Sequence, residues 1–143
     1  MEVLLVEDSP GDVRLTQEAF RDANGTVNLH VASDGVEAMA FLRREGNNAS
    51  SPRPDLILLD LGLPAGSGTV VLERLRNLST TSFTPVIVVT GRFVDLDGKQ
   101  ILREFGCETV LRKPVTSDQL IAAVTDALTA RLSSGDASEA LDR

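Results

Sequence analysis

Leu56-Ile57-Leu58-Leu59-Asp60-Leu61-Gly62-Leu63-Pro64 (LILLDLGLP, residues 56–64) reads as a buried strand that runs straight into a carboxylate. Four consecutive apolar residues suit a strand covered on both faces, as in a parallel sheet. The Gly-Leu-Pro that follows is turn chemistry. A carboxylate at the mouth of such a strand is costly unless it is bound or reactive, so Asp60 needs a purpose.

Similar runs recur along the chain. VLLV (3–6), VIVV (86–89) and TVL (109–111) read as further buried strands, and VNLHV (27–31) alternates as a strand with one exposed face. Helical patterns lie between them. Ser9 and Pro10, with Asp12 in the first turn, open a helix whose buried face is expected to hold Leu15, Thr16, Ala19 and Phe20. Asp34 and Glu37 make a capping-box pattern ahead of Ala38, Phe41 and Leu42. A third helix follows Ser67 with Val71, Leu72 and Leu75 inward. A fourth is expected over about 97–105, closed by Gly106. A fifth follows Ser117, with Leu120, Ile121, Val124, Ala127 and Leu128 on one stripe. Strands alternating with helices predict an α/β fold, a five-stranded doubly wound sheet with five helices. Residues 44–55 read as a long exposed loop, residues 1–132 as one domain, and 133–143 as a polar, flexible C-terminal tail.

Composition narrows the function. The 143 residues carry a formal net charge of −7, with 42% hydrophobic and 24% charged residues, which fits one globular domain and argues against direct nucleic-acid binding. Five Phe and no Trp or Tyr leave the core to Val, Leu, Ile and Ala. The single cysteine, Cys107, excludes an internal disulfide and fits a reducing cytoplasm. The start, MEVLLVEDS, reads as neither signal peptide nor membrane span. The sequons at Asn24, Asn48 and Asn77 are then chance matches.

In open α/β sheets, ligands bind outside the carboxyl ends of the strands. The residues there are Glu7 and Asp8 after the first strand, Asp60 after the third, Thr90 after the fourth, and Lys113-Pro114 after the fifth. Each has an ordinary reading alone: an acid pair as surface loop, Thr90-Gly91 as a turn, Lys113-Pro114 as a loop before a helix. All of them at equivalent strand ends is a far more specific pattern. Converging carboxylates demand a cation or raised pKa values. Without a His/Cys cluster the donor set suits Mg²⁺ rather than zinc. A carboxylate nucleophile with a metal, a lysine and a hydroxyl predicts phosphoryl transfer to Asp60.

With LLVEDSPGD, DLILLDLGLP, PVIVVTG and VLRKPV at these strand ends, the sequence resembles the CheY-like receiver domains of two-component response regulators, from Val3 to about Leu132. The form VEDSPGDVRLTQEAF resembles the single-domain regulators paired with phytochrome-type histidine kinases. The resemblance implies a flavodoxin-like strand order 2-1-3-4-5 and a cis bond before Pro114. It implies Asp60 as phosphoacceptor, Mg²⁺ bound by Asp8 and Asp60, by Glu7 through water and by the Gly62 carbonyl, and Lys113 and Thr90 on the phosphoryl group. Such a protein catalyses its own phosphorylation and dephosphorylation and answers to a sensor kinase, either as an output regulator or as a phosphate sink. Receivers commonly carry an aromatic switch residue where this chain has Val110, and that departure bears on the readout.

Rival readings fare less well. An aspartyl-phosphate phosphatase needs a second acid where Gly62 stands. A nucleotide-binding loop at GLPAGSG (62–68) lacks the Walker lysine and the dinucleotide spacing. Apolar residues continuing to Leu132 suggest that the fifth helix offers Leu128 and Leu132 to a second copy, as a homodimer.

Overall fold

The computed structural model describes residues 1–22, 27–63, 67–91, 100, 104–107 and 109–142. Side chains of residues 22, 67 and 131–142 are outside this description. Five parallel strands form one sheet: β1 (Glu2–Val6), β2 (Asn28–Ala32), β3 (Leu56–Asp60), β4 (Val86–Thr90) and β5 (Thr109–Arg112), in the order β2-β1-β3-β4-β5. Four α-helices are seen among the described residues: α1 (Pro10–Asp22), α2 (Gly35–Arg43), α3 (Ser67–Asn77) and α4 (Ser117–Asp142). The helix expected over about 97–105 lies mostly outside the described residues. Gln100, Glu104 and Phe105 are helical, and Gly106 follows at φ +62°, the left-handed conformation a glycine cap supplies.

The apolar runs fold as they do because both sheet faces are covered. Side chains alternate along a strand, so each run divides between two cores. Leu4, Val6, Ile57, Leu59, Val86 and Val88 face α2 and α3, where Ala38, Val71, Leu72 and Leu75 meet them. Val3, Leu5, Leu56, Leu58 and Ile87 face α1 and α4, where Ala19, Phe20, Leu120, Val124 and Ala127 meet them. A polar substitution at any of these strand positions therefore has no solvent face to turn towards.

Local signals set the helix ends. The Ser9 Oγ accepts from the Asp12 N–H at 3.4 Å, and its carbonyl from the Val13 N–H at 3.0 Å. Asp34 Oδ1 accepts from the Glu37 N–H at 2.8 Å, as the capping pattern predicts. The Glu37 carboxylate reaches one residue further back than a capping box would, and takes both the N–H and the hydroxyl of Ser33 at 2.6 Å. Arg76 of α3 donates to the carbonyls of Phe105 (2.7 Å), Thr84 (2.9 Å), Gly106 (2.9 Å) and Ser82 (3.1 Å). It thereby ties together the turns that lead into β4 and β5.

Two expectations differ from the structure. Leu15 is 61% exposed, and Val13 packs inward with Ala19 and Phe20. Val13 stands seven residues before Phe20, two helical turns, and so shares its line, whereas Leu15 is rotated away from it. The exposed loop of residues 44–55 includes a short 3₁₀ turn at Gly46–Asn48. The backbone of α4 runs as helix from Ser117 to Asp142. No proline interrupts that stretch, and extending a formed helix costs far less than starting one.

Candidate functional site

The strand register delivers the expected residues to one edge. Val6 pairs with Leu59, so Glu7 comes level with Asp60, while Asp60 pairs with Val89 and Thr90 with Arg112. The Glu7 N–H continues the ladder to the Ala32 carbonyl, the Leu61 N–H to Val89, and the Lys113 N–H to Thr90 at 2.8 Å. Each chemical group is thus placed by the last backbone bond of its strand.

Lys113 lies at the centre. Its Nζ is 3.0 Å from Asp60 Oδ2, 3.0 Å from Glu7 Oε2 and 2.7 Å from Asp12 Oδ2. The Lys113–Pro114 peptide is cis. The second Asp60 oxygen, Oδ1, accepts from the Gly62 N–H at 2.8 Å, and Glu7 Oε1 accepts from the Ser9 N–H at 3.1 Å. A side chain at position 62 would crowd Asp60, for a Cβ there would stand 3.2 Å from Oδ1. Gly68, at the start of α3, packs on the backbone just after Asp60, where a Cβ would come within 2.7 Å of the Leu61 Cα. Gly91 lets the Lys113 stem lie close, its own virtual Cβ being 3.3 Å from Lys113 Cδ.

Glu7 and Asp60 are buried, Thr90 is buried, and Asp8 is exposed. Burial, with Asp60 alongside, pushes the Glu7 carboxyl up to about 7, against the pull of Lys113 and the Ser9 N–H. Burial alone would lower the Lys113 ammonium, but hydrogen bonds to Asp12, Glu7 and Asp60 hold it above the ordinary lysine value. Lys113 is therefore charged at neutral pH.

Oxygens of Glu7, Asp8 and Asp60 lie within 4.8 Å of one another. Three hard carboxylate donors, one exposed, fit a divalent cation that keeps some of its water. Glu7, Asp12, Asp60 and Lys113 also line a cavity of about 390 Å³ between α1, Lys113-Pro114-Val115 and the start of α4.

The sequence-predicted residues Glu7, Asp8, Asp60 and Lys113 are thus brought together, with Gly62 and Thr90 adjoining them. Val110 lies on β5 opposite Val88, half-buried against the α2–α3 side of the core. Leu128 packs against the chain's own α1–α4 core. The Leu132 side chain lies outside the described residues. Asp12 is the site residue that sequence reasoning assigned only to a helix start. Its signal was its place one turn after the Ser9 cap, directly beyond the end of β1.

Comparison with known proteins agrees with this geometry. Residues 3–125 match the model of the response regulator receiver domain. Response regulator Rcp1 of Synechocystis sp. is 44% identical over 88 residues, which cover 62% of this chain and 60% of that protein. Response regulator Rre1 of the same organism is 31% identical over 135 residues, covering 94% of this chain and 54% of that protein. The chain thus spans little more than half the length of these two relatives. Among solved structures, the Mn²⁺-bound form of Rcp1 superposes with a TM-score of 0.72 at 35% identity, covering 85% of this chain and 88% of that one. The phosphorylated cyanobacterial phytochrome response regulator RcpA superposes at 0.72 with 32% identity, covering 91% and 90%. Both share the flavodoxin-like topology found here. Sequence, strand order and the groups at the sheet's carboxyl edge converge, and the chain belongs to the receiver-domain family of response regulators.

Proposed function

We propose that this receiver takes a phosphoryl group onto Asp60 from the phosphohistidine of a sensor histidine kinase, with Mg²⁺ as cofactor. The observation that carries the reading is the buried Asp60 carboxylate, with Lys113 at 3.0 Å and oxygens of Glu7 and Asp8 within 4.8 Å. One Asp60 oxygen attacks phosphorus while the donor's P–N bond breaks and its electron pair leaves on the imidazole. Glu7, Asp8 and Asp60, with the Gly62 carbonyl, are the groups that would hold the metal. When bound, Mg²⁺ supplies neutralising charge at the phosphoryl oxygens. Lys113 stabilises the transferred group through its ammonium and Thr90 through its hydroxyl. The same residues serve when water removes the phosphoryl group.

The likeness to Rcp1 and to a phytochrome response regulator supports a phytochrome-type kinase as partner and the cytoplasm as location. Among the described residues no helix is long and apolar enough to cross a membrane. Output then runs through protein contacts, including self-association along α4. Leu128, half-buried against the chain's own core, and Leu132 would carry that contact. Transfer from a radiolabelled phytochrome-type kinase tests the assignment. Label should reach the wild type in Mg²⁺, fail to reach Asp8→Ala, and be withheld by a chelator. Transfer that ignores chelation would refute the metal's role.

A further inference from the structure

Asp12 makes the shortest of the three Lys113 ion pairs, 2.7 Å against 3.0 Å for Glu7 and for Asp60. It is also the accessible one. Its side chain is 37% exposed, whereas those of Glu7 and Asp60 are 4% and 6%. Its placement is fixed locally: its N–H is held by the Ser9 hydroxyl, and its carbonyl accepts from the Thr16 hydroxyl at 3.0 Å.

We propose that Asp12 is a positioning residue that holds Lys113 in the resting state and yields it when Asp60 is phosphorylated. The proposal rests on the reading of Asp60 as phosphoacceptor. An ammonium has three donors, and here three carboxylates take them. On phosphorylation the donor held by Asp60 passes to the phosphoryl group, whose three acceptor oxygens and nearly two negative charges call on a second Lys113 donor, so Glu7 or Asp12 must give way. Releasing Glu7 leaves a buried carboxylate with only the Ser9 N–H as donor, which is costly. Releasing Asp12 exposes a carboxylate that water already reaches. Asp12 is therefore the bond that breaks.

Two effects of the Asp12 charge act in one direction. It competes with the phosphoryl group for Lys113, and it repels the arriving negative charge. Both favour the resting state. The bond also joins the first turn of α1 to the end of β5, so its release frees the α1 side of the cavity from Lys113 on phosphorylation. Were Asp12 only a favourable charge at a helix N-terminus, replacing it would alter stability and leave affinity at Asp60 unchanged.

Beryllium fluoride, a non-covalent phosphoryl analogue, separates these cases. Wild type, Asp12→Asn and Asp12→Glu are each saturated with Mg²⁺ and titrated, with amide and Lys113 side-chain resonances recorded by NMR. Asp12→Asn should bind about fivefold more tightly than wild type, the scale of one screened ion pair. Asp12→Glu, which keeps the charge, should return towards wild type, and high salt should narrow the difference. The Lys113 resonances of Asp12→Asn should differ from wild type before ligand is added and coincide with it at saturation. Equal affinity in wild type and Asp12→Asn, or weaker binding in Asp12→Asn, would overturn the role of Asp12 alone. A wild type that binds no fluoride at Asp60 would overturn the phosphoacceptor reading and this inference with it.

Discussion

Glu7 shows how far a single residue's surroundings set its chemistry. It sits at the end of a buried strand, shares Lys113 with two other acids, and is pushed from the ordinary 4.5 to about 7. Between those values the folded chain keeps a proton that the unfolded chain has released. The stability this contributes is complete below about pH 4.5 and is lost as pH rises through about 7. The metal-free protein should therefore melt at progressively lower temperature across that interval, and Glu7→Gln should flatten the decline. Calorimetry in the presence of a chelator measures both, and an undiminished decline in Glu7→Gln would assign the effect elsewhere. At the same scale, Asp60 was legible from sequence because four apolar residues lead straight into it. Asp12 was not, because an acid in the first turn of a helix has a sufficient local explanation, and only the fold brings Lys113 to it.

At the scale of elements, four apolar runs and the alternating VNLHV mark all five strands, with ends displaced by a residue at most places. Such runs are legible because a strand buried on both faces leaves no room for polar alternation. The inward face of α1 was misread at Leu15, since two helix lines remain plausible until the sheet chooses between them. Arg76 was invisible in the sequence, because its partners are backbone carbonyls that only the folded turns present. Its replacement should be costly. Arg76→Ala leaves several carbonyls without a donor and should lower stability by about 2–3 kcal/mol, visible as a lower urea midpoint at unchanged slope. Arg76→Lys should recover little, since one ammonium cannot span the same fork. Gly68 makes a second test. An added methyl would collide with the Leu61 backbone. Gly68→Ala should cost about 1–3 kcal/mol of overpacking and slow phosphorylation by displacing Asp60. A variant of wild-type stability and rate would mean that α3 shifts freely, contrary to the close packing described.

At the scale of the whole molecule, the sheet acts as a frame that brings residues 7, 8, 60, 90 and 113 to one edge and leaves its other end to structural ties such as Arg76. On the proposed function, phosphorylation at that edge would change the charge that Lys113 and Thr90 face, and the response would spread through the elements that hold them. Thr90→Ala should still accept phosphate but show smaller phosphorylation-linked changes in amide exchange, and changes equal to wild type would remove Thr90 from the switch. Val110 makes this readout differ from one that moves an aromatic ring, because a half-buried valine on a strand has no comparable outward swing. Sedimentation of wild type and Leu132→Glu, with and without beryllium fluoride, tests self-association along α4, and a monomer under every condition would exclude it. The central claim concerns Asp60. Intact-mass spectrometry after incubation with acetyl phosphate and Mg²⁺ addresses it most directly. The account predicts that the wild type gains the mass of one phosphoryl group and that Asp60→Asn, still folded, gains none; an equal gain in Asp60→Asn would contradict it.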